Sequence, residues 1–71
     1  MLWRHSRLRS TAKTGAADWV ATLTMDEEQT TAVNAELAAF NVAIDATTEE
    51  EVDVVCDEFE EAVNAILTPA A

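Results

Sequence analysis

Large apolar side chains recur in two runs along the chain. In the first, Val33, Leu37, Phe40 and Ile44 follow one another at steps of four, three and four residues. That spacing puts them on one stripe of an α-helix. Alanines 32, 39 and 43 lie beside the stripe and would let a neighbouring helix approach closely. In the second run Val52, Val55, Cys56, Phe59, Val63 and Ile66 form a matching stripe, and Pro69 stops it. Each run follows a start signal. Thr24 with Glu27, and Thr48 with Glu51, both fit the capping box, a hydroxyl followed three residues on by a carboxylate. The pattern predicts helices over about 25–45 and 48–67. So short a turn between them, Asp45-Ala46-Thr47, requires an antiparallel hairpin.

The first part of the chain has no comparable rhythm. Residues 1–17 offer Leu2, Trp3 and Leu8 and end near Gly15, the only glycine. They read as an arm, a short helix or an extended segment laid on something else. Residues 18–24, DWVATLT, alternate weakly. A single strand would have no partner, so they read as a linker or a short helical turn, with Trp19 placed to cap the end of a helical core. The expected organisation is a basic N-terminal arm over 1–17, a linker over 18–24 and an acidic helical hairpin over 25–71. The fold class is all-α. The tetrapeptide AVNA occurs at 32–35 and again at 62–65, and two copies are too few for a solenoid.

Length makes this hairpin precarious. Seventy-one residues bury a small share of their surface, and the usual staples are missing. Cys56 has no second cysteine to pair with, and His5 is the only histidine. Two stripes facing each other leave an open flank on each helix. The expectation is that they close against another copy or another protein, most simply as a four-helix bundle made of two hairpins. The apolar partner-binding set would then be Val33, Leu37, Phe40, Ile44, Val52, Val55, Phe59, Val63 and Ile66. Ala35, Ala38 and Val42 lie on the back of the first helix, and Val54 and Ala65 interrupt the polar face of the second. Val42 and Val54 point to a second neighbour.

Charge divides the chain. Arg4, Arg7, Arg9 and Lys13 are its four bases, and all fourteen acids follow from Asp18 onward, for a net charge of −10. With Trp3, the bases make the arm suited to an acidic surface. The arm also resembles a mitochondrial presequence in composition, being Arg-rich, hydroxyl-containing and acid-free. No apolar segment follows the basic start as a secretory signal would require, and no run approaches the length of a membrane span. The acids Glu50, Asp53, Asp57, Glu58, Glu60 and Glu61 share the broad polar face of the second helix. The eight carboxylates over 49–61 give roughly one charge per 2.3 Å of axis, against about 1.7 Å for duplex DNA. A face of this kind keeps a small protein soluble, and it could also imitate nucleic acid.

Chemistry finds little to work with. A lone histidine in an arm and a cysteine on an apolar face make no nucleophile–base pair, and nothing basic lies near Cys56 to favour its thiolate. Exposed carboxylates lack the burial that would separate their pKa values. Asp45, Thr47, Glu49 and Glu51 alternate through the turn but lack the glycine and final glutamate of a calcium loop. The residues therefore point to no enzyme, no cofactor and no dedicated metal site. Four bases on a chain with fourteen acids argue against direct nucleic-acid binding. The expected function is a non-enzymatic assembly subunit docking through apolar helix faces onto itself or a larger complex, as virus-particle components do. It would work inside a cell or a virus particle. One alternative is a small acidic inhibitor that blocks a nucleic-acid-binding protein. Another is a mitochondrial accessory subunit with a presequence-like arm.

Overall fold

The structure, a computed structural model, describes residues 8–68. It is all-α. Three helices, α1 (Arg9–Ala21), α2 (Glu27–Ala46) and α3 (Val52–Leu67), follow one another, with a 3-10 turn over Glu49–Glu51 leading into α3. Among the described residues no helix is long and apolar enough to cross a membrane.

The hairpin of α2 and α3 forms as its stripes predict. Val33, Phe40 and Ile44 of α2 are buried, as are Val52, Cys56, Phe59 and Val63 of α3. Both helix starts differ from the expected ones. The cap of α2 is Asp26, two residues beyond Thr24. Gln29 N–H donates to Asp26 Oδ1 at 2.8 Å, and Asp26 N–H donates to Gln29 Oε1 at 3.1 Å. This is the same reciprocal box built on a carboxylate and an amide, and Glu27 and Glu28 fall in the first turn beside the positive end of the dipole. At the second start Thr48 makes no side-chain cap, and the glutamates after it take a 3-10 turn before α3 begins at Val52.

The larger difference lies upstream. Arg9–Ala21 is one helix of 13 residues, running through the boundary expected between arm and linker and leaving only 22–26 as the connection to α2. Little in α1 favours a helix by itself. Leu8 at its N-cap offers no side-chain hydrogen bond, no acid lies in its first turn, and Gly15 sits in its interior at a cost of about 1 kcal/mol relative to alanine. A helix this short is marginal in water. Packing holds it instead. Ala12, Gly15, Ala16 and Val20 share one face and are buried. The three apolar side chains among them join the same core as the hairpin residues, and α1 packs on both α2 and α3. Gly15 has no positive φ, so its use here is a close approach between helices rather than an unusual backbone shape. Trp19 reaches Phe59 edge-on, with ring centroids 6.0 Å apart, and Phe59 meets Phe40 at 4.6 Å. One flank of the hairpin is thus closed by the chain's own N-terminal helix.

Two of the arm's bases fasten that closure. Arg9 donates through Nε to the carbonyl oxygen of Ile44 at 3.0 Å and through Nη2 to that of Thr47. The last carbonyls of a helix lack intrahelical donors, and its C-terminal end carries partial negative charge, so a guanidinium there serves as a cap. Lys13 pairs with Asp45 one turn along. The start of α1 is therefore anchored at the end of α2, and α1 runs back along it. Arg9→Ala is expected to lower stability by about 1 kcal/mol, read as a shifted urea midpoint with unchanged slope. Lys13→Ala should cost less, and its effect should fade in high salt because the pair is largely solvated.

Candidate functional site

The nine apolar residues expected to bind a partner are mostly occupied within the chain. Val33, Phe40, Ile44, Val52, Phe59 and Val63 are each no more than 4% exposed, and Leu37, Val55 and Ile66 pack partly buried against them. A partner could reach Val33, Ile44, Val52 and Val63, which are fully buried, only by opening the core. The physical reason is α1, which supplies the cover that two helices lacked. Any docking surface has to be sought on what the three helices leave open.

That surface is the side of the hairpin away from α1. A shallow groove of about 180 Å³ runs between α2 and α3, lined by Glu36, Ala39, Phe40, Ala43, Val55, Glu58 and Phe59. No residue of α1 contributes. Phe40 and Phe59, whose tilted rings lie 4.6 Å apart between centroids, line it from α2 and α3. Ala39 and Ala43 keep the α2 wall low, so an incoming side chain can approach the helix backbone. Val55 forms the α3 wall. Glu36 is half-buried and Glu58 exposed, and they bring one carboxylate from each helix to the groove. Of its lining, Val55, Phe40 and Phe59 belong to the stripes, and Ala39 and Ala43 were legible as small residues beside them. Glu36 was not singled out by the pattern, although it lies one turn before Ala39 and Phe40 on the same face.

The other expected residues are placed as follows. Val42 and Val54 are 69% and 46% exposed. Of the acidic face, Glu50, Asp57, Glu58 and Glu61 are exposed, while Asp53 and Glu60 are half-buried. Arg9 and Lys13 anchor α1; Trp3, Arg4 and Arg7 lie outside the described residues. Among the described residues no group of three His, Cys, Asp or Glu side chains is placed to hold a metal ion.

Cys56 is fully buried, and its thiol is pushed up to about 11, first by burial and then by the nearby carboxylates of Asp57 and Asp53. A thiolate here is disfavoured, which suits a packing role. The sign of the pH dependence follows. The folded pKa lies above the ordinary value of 9.0, so the unfolded chain loses the proton first. The thiol's contribution to stability is complete below about pH 9 and is lost as pH rises towards about 11, by roughly 2–3 kcal/mol in full. Urea titrations across that range should show the decline in the wild-type chain and a smaller one in Cys56→Ala. Equal slopes in the two proteins would contradict it.

Comparison with protein-family models, with curated proteins and with solved structures found no match for this chain.

Proposed function

We propose that this chain is a small, non-enzymatic assembly subunit that docks through the open side of its α2–α3 hairpin onto itself or onto a larger complex. The observation that carries the reading is the groove between α2 and α3. It has aromatic and alanine lining, and no residue of helix α1 lines it. An open apolar cleft with charge at its edges is the form that recognition surfaces take. The docking surface is narrower than the full stripes. It centres on Ala39, Ala43 and Val55, with Glu36 and Glu58 setting the charge a partner must answer.

The mass of the protein in solution tests this reading, measured by sedimentation over a hundredfold range of concentration at low and high salt. Association that Ala39→Glu or Val55→Glu weakens, while the helical circular dichroism is retained, supports it. A monomer under all conditions that also retains no larger complex overturns it. The exposed carboxylates Glu50, Asp57, Glu58 and Glu61 keep the antagonist reading in view. Under that reading the monomer displaces DNA from a basic protein with a potency that falls steeply in salt.

A further inference from the structure

Helix α2 carries a second stripe on the side away from its core. Thr31, Ala35, Ala38 and Val42 follow at steps of four, three and four, the spacing of the inner stripe, and all four are exposed. Val42, at 69%, is the most exposed large apolar side chain among the described residues. Towards the start of the helix the same face is hollowed into a shallow depression lined by Glu27, Glu28, Thr31, Ala32 and Ala35. One end of the face thus carries a knob and the other a hollow. Charge avoids the middle. In a chain with fourteen acids, residues 29–44 hold one charge, Glu36, and that side chain lines the α2–α3 groove instead. Charges gather at the two ends of α2, with Glu27 and Glu28 at its start and Asp45, Lys13 and Arg9 at its finish.

We infer that this face joins two copies of the chain, α2 against α2, antiparallel about a two-fold axis. Setting Val42 of one copy against Thr31 of the other also sets Ala35 against Ala38, and the axis repeats both contacts. Each copy's valine then enters the other's depression, and the alanines at the centre let the helix axes approach to about 8–10 Å. The ends agree with this register. Glu27 and Asp45 lie about five turns apart at 3.6 residues per turn, so they share one edge of the face. The two-fold keeps that edge on the same side in both copies. Glu27 of one copy therefore comes to the Lys13–Asp45 pair of the other, and the two helix dipoles run in opposite directions. A parallel pairing would set Glu27 and Glu28 against their own copies. The contact is isologous, so it stops at two. One pair of helices makes a small interface, and the dimer is accordingly weak, with a Kd above about 1 μM.

The face is separate from the groove between α2 and α3, so the inference can hold or fail apart from docking there. The test is sedimentation of the full chain up to millimolar concentration, beside Val42→Glu, Val54→Glu and Val55→Glu. Val42 and Val54 are both exposed, so the first two variants should keep the helical circular dichroism and differ only in where the added charge lies. The expected result is a reversible monomer–dimer equilibrium that Val42→Glu weakens at least tenfold and Val54→Glu leaves unchanged. Cross-linking reads the orientation. In the antiparallel register the two copies of residue 31 lie about 16 Å apart along the axis, and so do those of residue 42, too far for a disulfide. A mixture of Thr31→Cys and Val42→Cys chains should therefore oxidise to a mixed dimer at least tenfold faster than either variant alone; Cys56 is buried and does not compete. A chain that stays monomeric throughout overturns the inference. So does a dimer that Val55→Glu abolishes and Val42→Glu spares, which would leave docking through the groove standing. Either single-cysteine variant cross-linking to itself as fast as the mixture would also overturn it.

Discussion

Phe59→Ala is expected to lower the stability of the fold by about 3–5 kcal/mol, the largest effect of any single substitution considered. Phe59 is 4% exposed, and it is where all three helices meet, edge-on to Trp19 from α1 and stacked on Phe40 from α2. Removing a buried phenylalanine ring costs about 3–5 kcal/mol, part lost transfer energy and part the cavity left behind. A chain of 71 residues has a total stability of roughly 4–10 kcal/mol at ordinary values per residue. The substitution should therefore remove about three tenths of that at the least, and at the weak end of the range most or all of it. Urea unfolding followed by circular dichroism measures the loss, with Val42→Ala as a control at a position 69% exposed. A Phe59→Ala protein as stable as wild type would mean that the aromatic cluster is not the centre of the fold. The outcome also separates two accounts of the stripes. If they were partner surfaces, Phe59→Ala would impair association and spare the monomer.

Removing residues 1–21 is expected to have a comparable effect, although the whole α2–α3 hairpin remains. The shortened chain loses Ala12, Ala16 and Val20 from the core and Trp19 from the edge of Phe59. It also loses the Arg9 cap on the carbonyls of Ile44 and Thr47. Two amphipathic helices with one flank opened to water have too little buried surface to hold a cooperative fold at this length. At micromolar concentration the shortened chain should lose its cooperative thermal transition and retain less than about half the helical signal per residue expected of a folded hairpin. A hairpin that melts cooperatively as a monomer without α1 would refute this.

The two stripes of α2 and α3 were legible because large side chains mark them. Val33, Phe40, Ile44, Val52, Phe59 and Val63 can be found by spacing alone, and they are the residues the core uses. Helix α1 follows the same spacing at Ala12, Gly15–Ala16 and Trp19–Val20, but most of its buried face is alanine and glycine. Small residues contribute little to an apolar pattern, even when they mark the closest packing between helices. A search for small residues at helical intervals would have found them. The start of α2 was ambiguous for another reason. Thr24 with Glu27 and Asp26 with Gln29 satisfy the same capping rule in two registers, and only the formed hydrogen bonds choose between them. The work of Arg9 could not be read at all, since its acceptors lie 35 and 38 residues away in sequence. The groove was half legible. Ala39, Ala43 and Val55 stood out, but which side of the hairpin would stay open depended on where α1 lay.

Native-state hydrogen exchange on the full chain tests most directly whether α1 belongs to the core, because it reads the amides of Ala12–Val20 against those of Phe40 and Phe59 in one sample. A helix of 13 residues held only by its own hydrogen bonds would exchange within about tenfold of an unstructured peptide. The predicted result is that the inner amides of α1 exchange only through the same global opening as those of α2 and α3. Rapid exchange throughout α1, with α2 and α3 still protected, would contradict the account.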